Sequence, residues 1–299
     1  MALPSDDLMI EAFLDQLWME RGLSENTLSA YRSDLTTAQR WFASQGRRLP
    51  SADAADLQSY LAHLFARALD ARSSARKLSA MRRYYRFLVS GGHRDDDPTS
   101  LIQSPKVGRR LPHSLSESDV LALLQAPDTS TALGLRDRTM LEVMYGCGLR
   151  VSELVTLGML NINPSQGFLR VWGKGSKERI VPLGEHAHRW LAKYLSSARP
   201  ELARADADEV VFVSVRGRGM TRHNVWHLIK KYAKQAGLPG DISPHTLRHA
   251  FATHLVNHDA DLRAVQMLLG HSDLSTTQIY TQVARARLVQ VHQAHHPRG

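Results

Sequence analysis

The chain has 299 residues, 43% of them hydrophobic, with 38 Lys and Arg against 29 Asp and Glu and a formal net charge of +9. That length suffices for two domains with separate cores, and the lack of a long apolar run excludes a membrane-spanning design. The charge excess points to a polyanionic partner, most simply nucleic acid; the plainer alternative is a merely basic soluble protein.

The N-terminus, MALPSDDLMIEAFLDQLW, carries acids where an export signal would carry bases, and it has no small-residue cleavage pattern. The expectation is a cytoplasmic protein. The single cysteine, Cys147, cannot close an internal disulfide, which fits that compartment.

The first hundred residues predict four helices. Leu8, Phe13, Leu14, Leu17 and Trp18 form an apolar stripe ending near Gly22. A second helix starts at the N-cap Ser24 and repeats Leu28, Tyr31, Leu35, Ala38 and Phe42. Leu57, Leu61, Leu64, Phe65 and Ala68 mark a third. The fourth turns Leu78, Met81, Tyr85 and Leu88 inward and stops at Gly91. Four such helices with short connections predict a small bundle over residues 1–94. The fourth also carries Arg72, Arg76, Lys77, Arg82, Arg83 and Arg86 with no interleaved acid, so phosphate contact is expected over a merely solvated face.

Residues 95–114, DDDPTSLIQSPKVGRRLPHS, lose the helical period and read as an extended linker, made basic by Lys106, Arg109 and Arg110. From residue 115 to 299 the pattern is helices with a little sheet. Ser116 with Asp119 gives a capping-box-like start. GFLRVWGKGSKERIVPL predicts a hairpin around Gly173 to Ser176, and EVVFVS (209–214) a further strand. Helices are expected over about 184–198, 221–236, 243–258 and 261–269, and from 275 onward. The fold class is therefore mainly α: an N-terminal helical bundle, then a mixed α/β domain of mostly helices with a small antiparallel sheet.

Within that second domain the stretch PHTLRHAFATHL (244–255) stands out. Ser243 suits an N-cap and Pro244 the first helical position. His245 then lies in the first turn, among unsatisfied N–H groups that attract anions. Arg248 follows three residues on, about 60° around the helix, so both side chains can reach one point. Leu247, Phe251 and Leu255 anchor the other side. Arg150 opens GLRVSELVTL, where Glu153 can hold its guanidinium. Lys174 sits at the hairpin tip between two glycines. His271 follows the helix stop Gly270, and Tyr280 lies on a short segment capped by Ser275. Each signal alone has an ordinary reading: solvent-facing bases, a surface ion pair, a solubilising lysine, a filler tyrosine. A tyrosine hydroxyl is only about one part in a thousand ionised at pH 7, so as a nucleophile it needs a base or strongly positive surroundings.

Taken in order, GLRVSEL (148–154), GKGSKER (173–179), HTLRHAFATHL (245–255), LLGHSD (268–273) and TTQIYT (276–281) resemble the tyrosine site-specific recombinases, the phage integrase-like family. The resemblance covers both domains. Within the family it is to the Xer branch, and the ending VHQAHHPRG resembles one of the two Xer paralogues. It implies a SAM-like N-terminal bundle and the DNA breaking–rejoining enzyme fold. Two positions depart from the pattern. Asp259 stands where the family has glycine between two helices, which an aspartate tolerates at positive φ better than a branched residue. Cys147 stands where a small or hydroxyl residue is expected, and reads as packing.

The resemblance further implies that Tyr280 attacks a DNA phosphodiester and forms a 3′-phosphotyrosyl link. Arg150 and Arg248 hold the non-bridging oxygens with forked donors. His245 accepts the tyrosine proton or steadies the phosphate, Lys174 protonates the leaving 5′-oxygen, His271 donates to the phosphate, and Glu153 supports the arginines. No metal, nucleotide or other cofactor is expected: no P-loop or HExxH motif occurs, and His245, His249, His254 and His258 do not converge as a zinc set. The implied partners are a duplex recombination site, a second Xer paralogue in a heterotetramer on that DNA, and an activating DNA translocase. The implied task is to resolve chromosome or plasmid dimers at cell division. Residues 284–299 are expected to form a tail exchanged between neighbours, against the alternative of a helix packed on its own domain. Rival readings are a phage-type integrase, a nicking and closing topoisomerase, and a non-catalytic DNA architectural protein, which has no use for Tyr280.

Overall fold

The computed structural model describes residues 5–21, 23, 25–67, 71–104, 114–173, 178–204, 209–270 and 282–299, the side chains of 21, 71–72 and 282–287 excepted. The chain divides into two compact units, Met1–Arg110 and Leu111–Gly299. Among the described residues no helix is long and apolar enough to cross a membrane.

The first unit is built from α1 (Asp6–Arg21), α2 (Glu25–Ser44), α3 (Ala54–Ala66) and α4 (Ala71–Ser90). Asp53 caps α3 through a reciprocal box with Asp56. Phe13, Leu35, Phe42, Tyr60, Tyr84, Tyr85 and Leu88 fill the core. Phe13 meets the Tyr84 ring edge-on at 5.6 Å, and the Tyr85 hydroxyl donates to the Leu49 carbonyl at 2.7 Å. Each fully buried side chain of this size removes enough apolar surface to contribute about 1.5–3 kcal/mol. The buried face of α1 differs from the stripe expected of it. Met9, Ile10, Phe13, Leu14 and Leu17 point inward, while Leu8 and Trp18 are 64% and 61% exposed. At 100° per residue Leu8 falls opposite the centre of that face. Phe65 of α3, also expected inward, is exposed. Ser24, the expected cap of α2, lies outside the described residues.

Contacts in this unit qualify two expectations. Two of the basic residues of α4 share one acidic partner, brought in from another helix. Asp34 of α2 is buried and holds Arg76 and, at 3.0 Å, Lys77. Arg82 donates to the Ile102 carbonyl and the Ser104 hydroxyl, and Arg83 lies over the Tyr31 ring. Of the described set, Arg76 and Arg86 are exposed and the rest are half-buried. The segment after residue 95 is also less detached than a linker. Thr99 and Ile102 are buried, and Ile102 joins the bundle core while Leu101 beside it is exposed. Lys106, Arg109 and Arg110 lie outside the described residues.

The second unit begins with α5 (Glu117–Gln125), capped by Ser116 and Asp119 as expected. α6 (Ala132–Gly146) is buried along almost its whole length, charges included. Those charges are paired: Arg136 with Asp137, and Arg138 with Glu142. Asp137 also accepts from the Tyr232 hydroxyl at 2.8 Å. Stripping one partner from a buried pair costs about 3–5 kcal/mol, so α6 is fixed in rotation as well as depth. α7 (Val151–Val155) follows. The sheet has the order β1 (Ile162–Asn163), β2 (Phe168–Trp172), β3 (Glu178–Pro182), all antiparallel, with Phe168 opposite Pro182 and Trp172 opposite Glu178. β2 and β3 are the expected hairpin. β1 has too few residues to show a period. The strand expected at 209–214 forms only isolated bridges, Gly158 to Val210 and Val213 to Gly219. Val211, Phe212 and Val213 are all buried, so this apolar run fills the core without joining a ladder.

The remaining elements are α8 (Glu185–Lys193), which runs through a π turn into α9 (Arg199–Leu202), then α10 (Arg222–Gln235), α11 (Pro244–Asn257), α12 (Leu262–Leu269) and α13 (Gln282–His295). Asp259, between α11 and α12, is the one non-glycine residue at positive φ among the described residues (63°). It occupies the left-handed conformation that its short polar side chain tolerates. Cys147 is wholly buried, and burial pushes its thiol up, so it serves packing.

The C-terminal tail rests on its own domain, the arrangement opposite to the expected exchange. Leu288 and Val291 pack on the unit's core. The His292 Nε2–H donates to the Gly146 carbonyl at 2.6 Å, and Arg298 forks onto Glu142 at 2.7 and 2.9 Å. His292 and His296 stack at 4.8 Å, both buried. Tyr145 of α6 and His254 of α11 pack about them, with Arg298 beside them. Burial lowers both imidazoles below 6.5, and for His296 the neighbouring His292, His254 and Arg298 add to it. Docking therefore favours the neutral rings. Its full strength is present above pH 6.5 and drains away as the pH falls toward the depressed values, because the released tail binds more protons. The protection of amides in 282–299, taken relative to the intrinsic exchange rate at each pH, should be lower at pH 5.5 than at 7.5, and His296→Phe should reduce that difference. Equal protection of the wild-type tail at both pH values would show that the rings do not gate it.

Candidate active site

Three arginines and one glutamate converge in the second unit. The chain leaves α6 through Gly148, whose φ of +56° turns it sharply. A side chain there would run into the Phe251 ring at 2.5 Å. Leu149 is buried, and Arg150 becomes the N-cap of α7. Glu153, three residues on, accepts the Arg150 backbone N–H at 2.7 Å, as a helix-start glutamate does. Its Oε1 also accepts from the Arg150 Nη1 at 2.9 Å. The pairing of Arg150 with Glu153 is thus present, and Glu153 is 3% exposed.

Arg248 comes from α11, which starts as its sequence predicts. Ser243 caps the Thr246 N–H and Pro244 occupies the first turn. Leu247 and Phe251 are fully buried behind it. The Arg248 Nη1 donates to the Gly148 carbonyl at 2.6 Å, its Nη2 donates to the Leu269 carbonyl, and Nη1 lies 3.7 Å from Glu153. His245 sits exposed in the first turn of the same helix.

The third arginine, Arg179, had no role in the sequence reading, although it ends the GKGSKER motif. It lies on β3 and is buried, whereas Glu178 before it is exposed. Its Nη1 and Nη2 fork onto both oxygens of Glu153, the second at 2.8 Å, and its Nε–H reaches the Leu268 carbonyl at 3.3 Å. Strand alternation was the available signal: if Glu178 faces water, Arg179 faces the core.

These contacts share one backdrop. α12 ends at Gly270, in the left-handed conformation at φ +66°. The last carbonyls of a helix lack intrahelical partners and carry its negative end. Here Leu268 receives Arg179, Leu269 receives Arg248, and Gly270 receives Arg150 at 3.2 Å. Gly270 has no room for a side chain, since a Cβ would lie 2.8 Å from the Arg179 Cδ. Each arginine is thereby aimed from behind by a carbonyl on a rigid element.

The charges do not cancel. Among the described residues three guanidinium groups face one carboxylate, leaving an excess positive charge in a partly buried place. Burial, then repulsion from Arg150 and Arg179, pushes the Arg248 guanidinium down to about 9 against the attraction of Glu153. It remains a cation at neutral pH, but a strained one that an incoming anion would relieve. The side chains of Arg150 and Arg248 keep 32% and 12% of their surface open, whereas that of Arg179 keeps 8%. The first two can offer forked donors to an anion, and Arg179 serves behind them.

The structure therefore brings Arg150, Glu153 and Arg248 together, with His245 one turn from Arg248. Lys174, His271 and Tyr280 lie outside the described residues, as do Arg109, Arg110 and the Arg72 side chain. The cluster abuts two of them in sequence: Gly270 precedes His271, and β3 begins four residues after Lys174.

Both units of the chain match known proteins. Residues 113–287 match the phage integrase family, and residues 10–92 the phage integrase N-terminal SAM-like domain. The chain is 55% identical to tyrosine recombinase XerD of Pseudomonas aeruginosa over 97% of this chain and 98% of that protein. It is 54% identical to the XerD of Proteus mirabilis over 98% and 94%. Its fold is similar to XerH recombinase bound to a palindromic difH substrate (TM-score 0.70, 20% identity, 97% of each chain). It is also similar to a lambda integrase tetramer bound to a Holliday junction (TM-score 0.68, 20% identity, 95% of this chain and 77% of that one).

Proposed function

From the premise that the chain belongs to the phage integrase family of tyrosine recombinases, we propose that it cleaves and rejoins duplex DNA through Tyr280. It is a site-specific recombinase of the XerD type. The observation that carries the mechanism is the pair Arg150 and Arg248, held from behind by Glu153 and the end of α12 and left with open donors.

In the proposed reaction the Tyr280 oxygen forms a bond to phosphorus as the bond to the 5′-oxygen breaks. The tyrosine proton passes to His245, whose imidazole nitrogen can accept it. Lys174 gives a proton to the 5′-oxygen, and His271 donates a hydrogen bond to the phosphate. Arg150 and Arg248 take the charge that builds on the non-bridging oxygens, and need neither gain nor lose a proton. One ester is exchanged for another, so the link can be reversed by a 5′-hydroxyl without an external energy source. The basic residues Arg72, Arg76, Lys77, Arg82, Arg83, Arg86, Arg109 and Arg110 are proposed to meet the DNA backbone. Arg86 and the open face of Arg76 are the best placed of those described; Lys77 and Arg82 act mainly within the bundle.

The proposed partners are a XerC-type paralogue in a heterotetramer on the recombination site and a DNA translocase that activates it. The setting is the cytoplasm, and the task is the resolution of chromosome or plasmid dimers at cell division. In the tetramer the tail 284–299 would leave its own domain for a neighbour's. The test is a nicked suicide substrate carrying a candidate chromosomal site, followed by strand exchange between two intact sites with the purified paralogue. A covalent protein–DNA adduct and recombinant product are expected. Binding with no adduct would indicate an architectural protein, and adduct with no exchange a nicking and closing enzyme.

A further inference from the structure

We propose that Arg179 is a positioning residue, which holds the Glu153 carboxylate and through it the Arg150 guanidinium in the orientation that cleavage needs, without touching the phosphate itself. The inference rests on the cleavage reaction proposed above.

The Arg179 fork spends all three of its nitrogen positions on the protein: Nη1 and Nη2 on Glu153, and Nε on the Leu268 carbonyl. Its side chain is 8% exposed, so it has little surface to offer a ligand. Its partner Glu153 has a side chain only 1% exposed, and a carboxylate so placed stays ionised only if it is paired. Burial pulls the Glu153 carboxyl upward. The hydrogen bonds and charge of Arg179 pull it down, the Arg150 bonds add to that, and the sum lies below the usual carboxylate range. Arg179 is thus the strongest influence keeping Glu153 an anion.

The ionised form matters because both oxygens are in use. Oε1 accepts from the Arg150 Nη1 and Oε2 from the Arg150 backbone. A protonated carboxyl would put a donor against those donors and release the guanidinium. Arg179 also ties β3, next to the Lys174 turn, to the last turn of α12, next to His271. One side chain therefore joins the two elements whose neighbours in sequence are Lys174 and His271.

The test is single-turnover cleavage of the nicked substrate from pH 6 to 8, read as the ratio of variant to wild-type rate so that shared titrations cancel. In Arg179→Gln the Glu153 carboxyl loses its main counter-charge but keeps Arg150 and Arg248, so its midpoint rises from its lowered position. The ratio should fall toward the acid end of the range, since protonation there removes the anion that holds Arg150. In the double variant Arg179→Gln, Glu153→Gln nothing titrates there, and the ratio should be low but flat. Arg179→Lys keeps the charge without the fork, so its rate should fall with DNA affinity unchanged and with little added pH dependence. A merely structural role predicts a lower melting temperature and a loss that is the same at every pH. A flat ratio in Arg179→Gln, or an acid limb that survives in the double variant, would overturn the proposal. Should Arg179→Gln not fold, an Arg179→Lys rate equal to wild type would do so. If the wild type itself forms no adduct, the cleavage reading fails and takes this one with it. If the wild type cleaves and the ratio is flat, only the role of Arg179 fails.

Discussion

Tyr280→Phe should bind the recombination site as the wild type does and form no covalent adduct on a nicked suicide substrate. Phenylalanine keeps the ring and removes only the oxygen that is to bond phosphorus. DNA affinity comes mostly from basic contacts to many phosphates, and the substitution leaves those intact. Loss of adduct should be total because no other phenol can stand in. Of the other tyrosines, Tyr60, Tyr84, Tyr85, Tyr145, Tyr194 and Tyr232 are buried, and burial raises each of them, Tyr60 to about 12. Tyr145 is further committed to His254 at 2.8 Å. Tyr31 lies in the first unit, beneath Arg83. A phenol becomes a useful nucleophile near neutral pH only where positive charge is in excess. The cluster of Arg150, Arg179 and Arg248 around Glu153 is such a place, one residue before His271. An adduct that persists in Tyr280→Phe would put the nucleophile elsewhere, and a parallel loss of binding would make Tyr280 a DNA anchor.

The local signals were the ones the sequence carried well. The Ser116 and Ser243 caps, the antiparallel pairing of β2 with β3, and the Arg150–Glu153 pair each depend on residues close to one another in sequence, and each is present in the fold. What could not be read needed distance in the chain. Asp34 pairs with Arg76 and Lys77 from more than forty residues away, so a count of acids within α4 misses this partner. The carbonyls of Leu268, Leu269 and Gly270 receive arginines from three other elements, and a carbonyl leaves no mark in a sequence. Arg179 is an intermediate case. Its burial follows from alternation along β3, but its partner Glu153 is 26 residues away on another element. The α1 stripe failed for a different reason. Leu8 and Trp18 are as apolar as Met9 and Ile10, so composition alone did not set the phase of the helix.

Replacing Arg248 by Ala should slow cleavage about a thousandfold or more while changing DNA affinity little. Phosphoryl-transfer arginines of this kind are worth about 10³–10⁵ in rate, which is about 4–7 kcal/mol of transition-state stabilisation. The competing explanation is damage to the fold, and the geometry bounds it. Arg248 leaves two carbonyls, Gly148 and Leu269, without their donor. An orphaned buried acceptor costs about 1–3 kcal/mol. Against that, the substitution removes a cation that Arg150 and Arg179 repel, which returns part of the loss. The net change in melting temperature should therefore be modest, too small to account for the rate. Arg248→Lys separates the two effects further. An ammonium keeps the charge and can satisfy one carbonyl, but it cannot hold two acceptors and a phosphate in one plane, so the rate should stay low while stability recovers. Arg150→Ala should lose a similar factor in rate with less effect on stability, because its side chain is more open to solvent. Measured together, single-turnover rate, binding and melting temperature decide the matter. If binding of Arg248→Ala falls in step with cleavage, the arginine is an anchor for DNA; if Arg248→Lys cleaves as the wild type does, charge suffices and the fork has no part in the reaction.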